Sequence, residues 1–171
     1  MEKITPCLWF NSQAEEAANF YVSIFSGIEG PKSDKSQSKI ISISRYGEEA
    51  AKVSGMPKGS VLTVIFQLRG QQFVGLNGGS VYTLTPAISF MVDCETQDEV
   101  DWFWDKLSEG GKKDQCGWLH DRFGVSWQVV PTIMGKLFQD KNSKKSENVM
   151  RAMLQMQKLD IGKLKQAYEQ G

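Results

Sequence analysis

The spacing of apolar positions along this chain switches from two to nearly four and back again, and it does so twice. From Thr96 to Leu107, the residues Val100, Phe103, Trp104 and Leu107 recur at i, i+3, i+4 and i+7, which marks one buried face of a helix. Thr96 and Glu99 have capping-box spacing at its start. Gly110-Gly111 ends it, because glycine leaves a helix through the left-handed region at little cost. Ahead of this helix Ala87 to Val92 is strand-like. Behind it Asp121 to Gly124 is turn chemistry, followed by the β-branched and aromatic run Val125 to Val130 and Pro131. The unit is strand, helix, strands.

The first half repeats that order. Ile4 to Phe10 is apolar and too short for a helix, and Ser12 with Glu15 forms a second capping box. The helix behind it presents Ala14, Ala17, Ala18, Tyr21, Ile24 and Phe25 on one side. Lys39 to Tyr46, Ser60 to Leu68 and Phe73 to Asn77 alternate as strands. Gly47 to Gly59 is a polar excursion, Arg69 to Gln72 a hairpin connection, and Gly78-Gly79 a strand end. Ser26 to Ser38, with its Gly, Pro, Ser and Lys, is expected to be a mobile loop.

Two halves in the same order imply a duplication. The expected architecture is α+β: a single domain over 1–131, built from paired modules at about 1–80 and 85–131 that share one curved sheet. A C-terminal helical extension, 132–171, follows, with helical segments at Thr132 to Gln139, Ser146 to Gln157 and Asp160 to Gln170. The stripe Val149, Met150, Met153, Leu154 and Met156 reads as core or subunit interface before it reads as a promiscuous binding groove.

Composition narrows the partners. Twenty basic side chains balance twenty acidic ones among 171 residues, which argues against nucleic acid or an anionic membrane as partner, since either would need a basic face. The lysine groups Lys32, Lys35, Lys39 and Lys141, Lys144, Lys145 sit among polar residues and read as solvated loops. Cys7, Cys94 and Cys116 are odd in number and widely spaced, as in a reduced, cytoplasmic protein. No leader pattern and no membrane-length apolar run accompanies them.

The residues then reach a resemblance. Ala14-Glu15-Glu16-Ala17-Ala18-Asn19-Phe20-Tyr21, Leu76-Asn77-Gly78-Gly79, Thr85-Pro86-Ala87-Ile88-Ser89-Phe90, and Cys116-Gly117-Trp118-Leu119 onward to Trp127 resemble the PhnB-like family across essentially the whole chain. That family carries a demethylubiquinone methyltransferase label. It belongs with the glyoxalase, bleomycin-resistance and dioxygenase (vicinal oxygen chelate) superfamily. The resemblance implies paired βαβββ modules, a cupped sheet around a cavity, and a homodimer.

Function follows from the site and not from the fold. Metalloenzymes of the superfamily place His, Gln or Glu at four inward strand positions, which the resemblance maps to Pro6, roughly Asn77, Ala87 and Gln128. Proline and alanine side chains ligate nothing, and neutral amides are weak donors for zinc or iron, so no metal cofactor is expected. The glycine pair in Leu76-Asn77-Gly78-Gly79 precedes no helix, unlike an adenosylmethionine turn, so no such cofactor is expected either. There is no nucleophile elbow and no HExxH. His120, the single histidine, reads as a surface or hydrogen-bonded residue.

What remains is a set of cavity candidates of mixed apolar and amide character: Leu8, Phe10, Asn77, Ser89, Met91, Ser126 and Gln128. A small-molecule binding pocket and a cup simply filled by its own side chains both fit that set. Three classes of function stay open: a binding protein for a small organic ligand, an enzyme of the superfamily or of the methyltransferase label, and an interaction module using the Met-rich helices.

Overall fold

The computed structural model describes residues 4–28, 37–139 and 143–171. The middle of the loop expected from Ser26 to Ser38 lies outside the described residues, as do Lys32, Lys35 and Lys141. The chain divides into two compact units, Met1–Leu84 and Thr85–Gly171.

The first unit contains β1 (Cys7–Phe10), α1 (Ala14–Ser26), β2 (Lys39–Arg45), α2 (Glu48–Ser54), β3 (Val61–Leu68) and β4 (Gln71–Asn77). Its sheet has the order β1-β4-β3-β2, with β1 parallel to β4 and the other pairs antiparallel. One face lies under α1. Tyr21 packs on Phe66 and Phe66 stacks on Phe73, with ring centroids 6.1 and 5.4 Å apart. Gly75 lets the helix approach, because a Cβ there would stand 3.2 Å from that of Ala14. The polar excursion after Tyr46 contains α2, a solvated helix with no buried residue, in which Lys52 pairs with Glu48 and Glu49.

Ser12 does not cap α1. Gln13 stands at the N-cap without a side-chain bond, and the Ala14 amide is satisfied by Asn77 Oδ1 at 2.8 Å, from the end of β4. The sequence offered a local cap, but a buried amide from 63 residues away took the donor instead.

The second unit contains β5 (Phe90–Cys94), α3 (Gln97–Leu107), β6 (Lys112–Lys113), β7 (Trp118–His120) and β8 (Ser126–Pro131), then α4 (Ile133–Phe138), α5 (Ser143–Met153) and α6 (Ile161–Glu169). The sheet order is β5-β8-β7-β6, again with the first strand parallel to its neighbour. Each unit is thus a βαβββ module in an α+β fold. The α3 face buries Val100, Phe103, Trp104 and Leu107 as their periodicity requires. Thr96 caps the helix by accepting from the Glu99 amide, while Glu99 reaches back to the Glu95 amide. The strand expected from Ala87 begins instead at Phe90. Before it the Ile88 amide turns back onto the Thr85 carbonyl and its side chain is exposed.

The C-terminal helices make a small core of their own from Met134, Leu137, Val149, Leu159 and Leu164, with Met153 and Met156 packed against it. The Met stripe therefore splits: these residues turn inward, while Met150 and Leu154 are exposed. The connection from α5 to α6 is stitched to the sheet by the Cys116 and Gly117 amides, which donate to the Met156 and Gln157 carbonyls at 2.7 Å.

Candidate functional site

In the first unit, strand alternation decides which side chains α1 covers. Phe10 reaches toward the missing Cβ of Gly75, next to Ala14 of the helix, and Leu8 pairs in register with Gly75. Leu8, Phe10 and Asn77 therefore lie on the helix-covered face, while Cys7, Trp9, Val74 and Leu76 take the other. Three of the cavity candidates, Leu8, Phe10 and Asn77, thus lie buried in the layer between sheet and helix. Asn77 is 2% exposed and both side-chain atoms are engaged. Its Oδ1 accepts from the Ala14 amide and its Nδ2 donates to the Val61 carbonyl, while its own backbone carbonyl accepts from Tyr46 Oη at 2.6 Å.

Gly78 and Gly79 serve Trp9. A Cβ on Gly78 would run into the indole, whose Nε1 donates to the Gly79 carbonyl at 2.8 Å, and Gly79 has φ +80. Tyr82 meets the same indole edge-on at 4.9 Å. No helix follows these glycines, so the turn shows no anion-binding helix start for a cofactor.

The second unit brings the other candidates together. On the face of its sheet away from α3, Gln128 stands in register with Met91 of β5 on one side and Trp118 of β7 on the other. Gln128 Nε2 donates to Ser89 Oγ at 2.8 Å, which fixes the amide plane and leaves Oε1 without a partner among the described residues. Met91 is 57% exposed, a large apolar side chain on the face of a sheet.

One residue pair along, Ser126 and His120 are in register, and Ser126 Oγ lies 3.0 Å from His120 Nδ1. His120 Nε2 is 3.0 Å from Asp114 Oδ2, and Lys112 Nζ is 2.7 Å from Asp114 Oδ1. A carboxylate has no proton to give, so His120 Nε2 donates to Asp114, and Nδ1 shares a hydrogen bond with the Ser126 hydroxyl. His120 is hydrogen-bonded through both nitrogens. Trp118, His120 and Asp114 were not among the sequence candidates, although Trp118 and His120 share the two-residue alternation of Ser126 and Gln128 across the hairpin.

Beneath this row, on the α3 side, Asp121 is a buried organiser. Its Oδ1 accepts from the Phe123 and Val125 amides at 2.8 and 3.0 Å, and its Oδ2 accepts from Trp127 Nε1 at 2.8 Å. Those bonds shape the turn that delivers β8.

A separate recess of about 460 Å³ opens beside the C-terminal helices, lined by Gln97, Asp101, Met156, Lys158, Asp160 and Lys163. Lys158 Nζ pairs with Asp101 Oδ1 at 2.8 Å. Hydrogen bonding from Lys158, then from Gln97, holds the Asp101 carboxyl below its ordinary value, and the bond from Asp101 holds the Lys158 ammonium above its own. Gln97 also receives the Ile161 amide and donates to the Leu159 carbonyl, so this polar cluster pins α6 to α3.

Among the described residues, no three His, Cys, Asp or Glu side chains come together as a metal site. None of the four residues that the resemblance points to carries an ionisable ligand. Asn77 has spent its carbonyl on the α1 amide, Gln128 offers one neutral oxygen, and Pro6 and Ala87 offer no side-chain donor. No described helix is long and apolar enough to cross a membrane.

Comparison with known proteins agrees with this architecture. Residues 2–130 match the family model described as 3-demethylubiquinone-9 3-methyltransferase. A Bacillus cereus structure described as a putative 3-demethylubiquinone-9 3-methyltransferase, PhnB protein, is 37% identical. It aligns over 77% of this chain and 100% of its own, with a TM-score of 0.63. A Pseudomonas aeruginosa structure shares the fold at 19% identity and TM-score 0.58, covering 77% of this chain and 98% of its own. The Listeria monocytogenes fosfomycin resistance protein does so at 11% identity and TM-score 0.52, covering 81% and 98%. No curated protein matched. With its paired βαβββ modules and this match over most of its length, the chain belongs to the PhnB-like, 3-demethylubiquinone-9 3-methyltransferase family.

Proposed function

We propose that this protein binds a small organic molecule on the face of its second sheet away from α3, without a metal ion at the superfamily position. The observation that carries the reading is the row Met91, Gln128 and Trp118, in which Ser89 holds a polar amide between a thioether and an indole. Such a row combines apolar contact area with one oriented polar group, as small-molecule sites do. Ligand screening by thermal shift tests it, since a molecule that binds only the native state raises the melting temperature by mass action. A hit should lose its shift in Met91→Arg and Gln128→Ala. Loss of neither in the variants, or no hit in a fragment library, would sink the reading.

Methyl transfer, as in the family's name, is the second reading, and the family match itself favours it. The Gly78-Gly79 turn supports it poorly, because its glycines make room for Trp9. Adenosylmethionine added to the purified protein decides: a shift of several degrees in the melting midpoint would move the assignment to an enzyme. We propose further that the chain works as a homodimer in the cytoplasm, where its three free cysteines stay reduced. Light scattering on the purified protein tests the dimer.

A further inference from the structure

We infer that the Met91–Gln128–Trp118 row selects a planar molecule carrying an adjacent N–H and C=O, a lactam or amide edge. The inference rests on the binding reading above and names its ligand class. It follows from counting which hydrogen-bonding capacities are already spent. Gln128 Nε2 is committed to Ser89 Oγ, so the amide presents its Oε1 acceptor. Ser89 Oγ accepts that bond and keeps its own hydroxyl proton, so it presents a donor. Neither residue has any other partner among the described residues, and both are partly exposed.

The neighbouring polar groups are spoken for. Ser126 is 2% exposed and its hydroxyl is hydrogen-bonded to His120 Nδ1, while His120 Nε2 donates to Asp114. The row therefore offers one acceptor and one donor, from side chains that already touch each other. An N–H/C=O edge satisfies both. A ligand with only acceptors leaves Gln128 Oε1 facing the ligand without a donor, and a ligand blocked at nitrogen does the same. The flanking groups set the shape. Trp118 and Met91 stand on the two sides of Gln128 in register, and indole and thioether surfaces both favour flat, polarisable rings.

The test compares three probes of nearly one shape: quinolin-2(1H)-one, its N-methyl derivative, and quinoline. Binding is followed by NMR on the Trp118 indole N–H and the Gln128 side-chain amide. The lactam should move both signals with an affinity about tenfold above that of the N-methyl compound. Gln128→Met, which keeps the length and removes the acceptor, should erase that ratio; Ser89→Ala should reduce it. Should Gln128→Met lose its native amide spectrum, Gln128→Glu serves, because it retains the acceptor and should retain the lactam preference. If all three probes move the two signals equally, the inference is overturned while the binding reading stands. If none moves them, the inference is overturned and the binding reading rests on the thermal-shift screen alone.

Discussion

Asn77 shows how one side chain joins three elements of the first unit. Its amide caps α1, ties to the Val61 carbonyl at the start of β3, and sits beside the carbonyl that Tyr46 holds. Asn77→Ala strands a buried amide and a buried carbonyl, at about 1–3 kcal/mol each. Urea denaturation should show a loss of at least that size, and a variant as stable as the parent would mean that these bonds are dispensable. Asp121 does the same in the second unit, where one carboxylate accepts from two amides and the Trp127 indole. In Asp121→Asn one oxygen becomes an NH₂ that cannot accept, so either the indole or the turn loses its partner. The expected cost is again about 1–3 kcal/mol, measured by the same denaturation, with the Trp127 indole signal as a local reporter.

At the scale of elements, the two module helices start in different ways although their sequences look alike. Thr96 Oγ1 accepts from the Glu99 amide, so Thr96→Ala should cost about 1 kcal/mol. Ser12 caps nothing in α1, so Ser12→Ala should stay within about 0.5 kcal/mol of the parent. Equal losses in thermal denaturation would contradict the long-range cap. Strand parity repeats this contrast. In the second unit the free face carries Ser126 and Gln128 against Trp127 and Val129 underneath, and the alternation is legible in the sequence. In β1 and β4 both faces carry apolar residues, Leu8, Phe10 and Phe73 under the helix and Trp9, Val74 and Leu76 opposite. Period two without polar contrast does not say which face meets the helix.

At the scale of the whole molecule, the C-terminal helices are tied to α3 and the sheet of the second unit through the Asp101–Lys158 pair, Gln97, and the Cys116 and Gly117 amides. The carboxyl of Asp101 is depressed, so its contribution is present above the ordinary 3.8 and is lost as pH falls through the folded value. The ammonium of Lys158 is raised, so its contribution is present below the ordinary 10.5 and is lost as pH rises through the folded value. Lys158→Met should therefore cost a constant amount across the middle range, at most about 1 kcal/mol for so exposed a pair, with the difference narrowing only at the acid and alkaline ends. A difference that peaks near neutral pH would point to another group. Gly117 adds a steric tie. A Cβ there would sit 2.7 Å from the Val129 carbonyl and 3.2 Å from Leu159 Cδ1, and its φ is +82. Gly117→Ala should thus loosen the helices, raising hydrogen exchange at α6 before it does at β5.

The helix faces of α1 and α3, the βαβββ duplication and the shared face of Ser126 and Gln128 on β8 were determined by the sequence itself. Periodicity and turn chemistry act over a few residues, and there the local signals agree with the packing. The tertiary structure alone decided that the Asn77 amide caps α1, that Gly78 makes room for Trp9, and that Ser126, His120 and Asp114 form one hydrogen-bonded row. Those outcomes depend on which donors meet which acceptors across strands and between elements far apart in the chain, and no spacing along the chain encodes that choice.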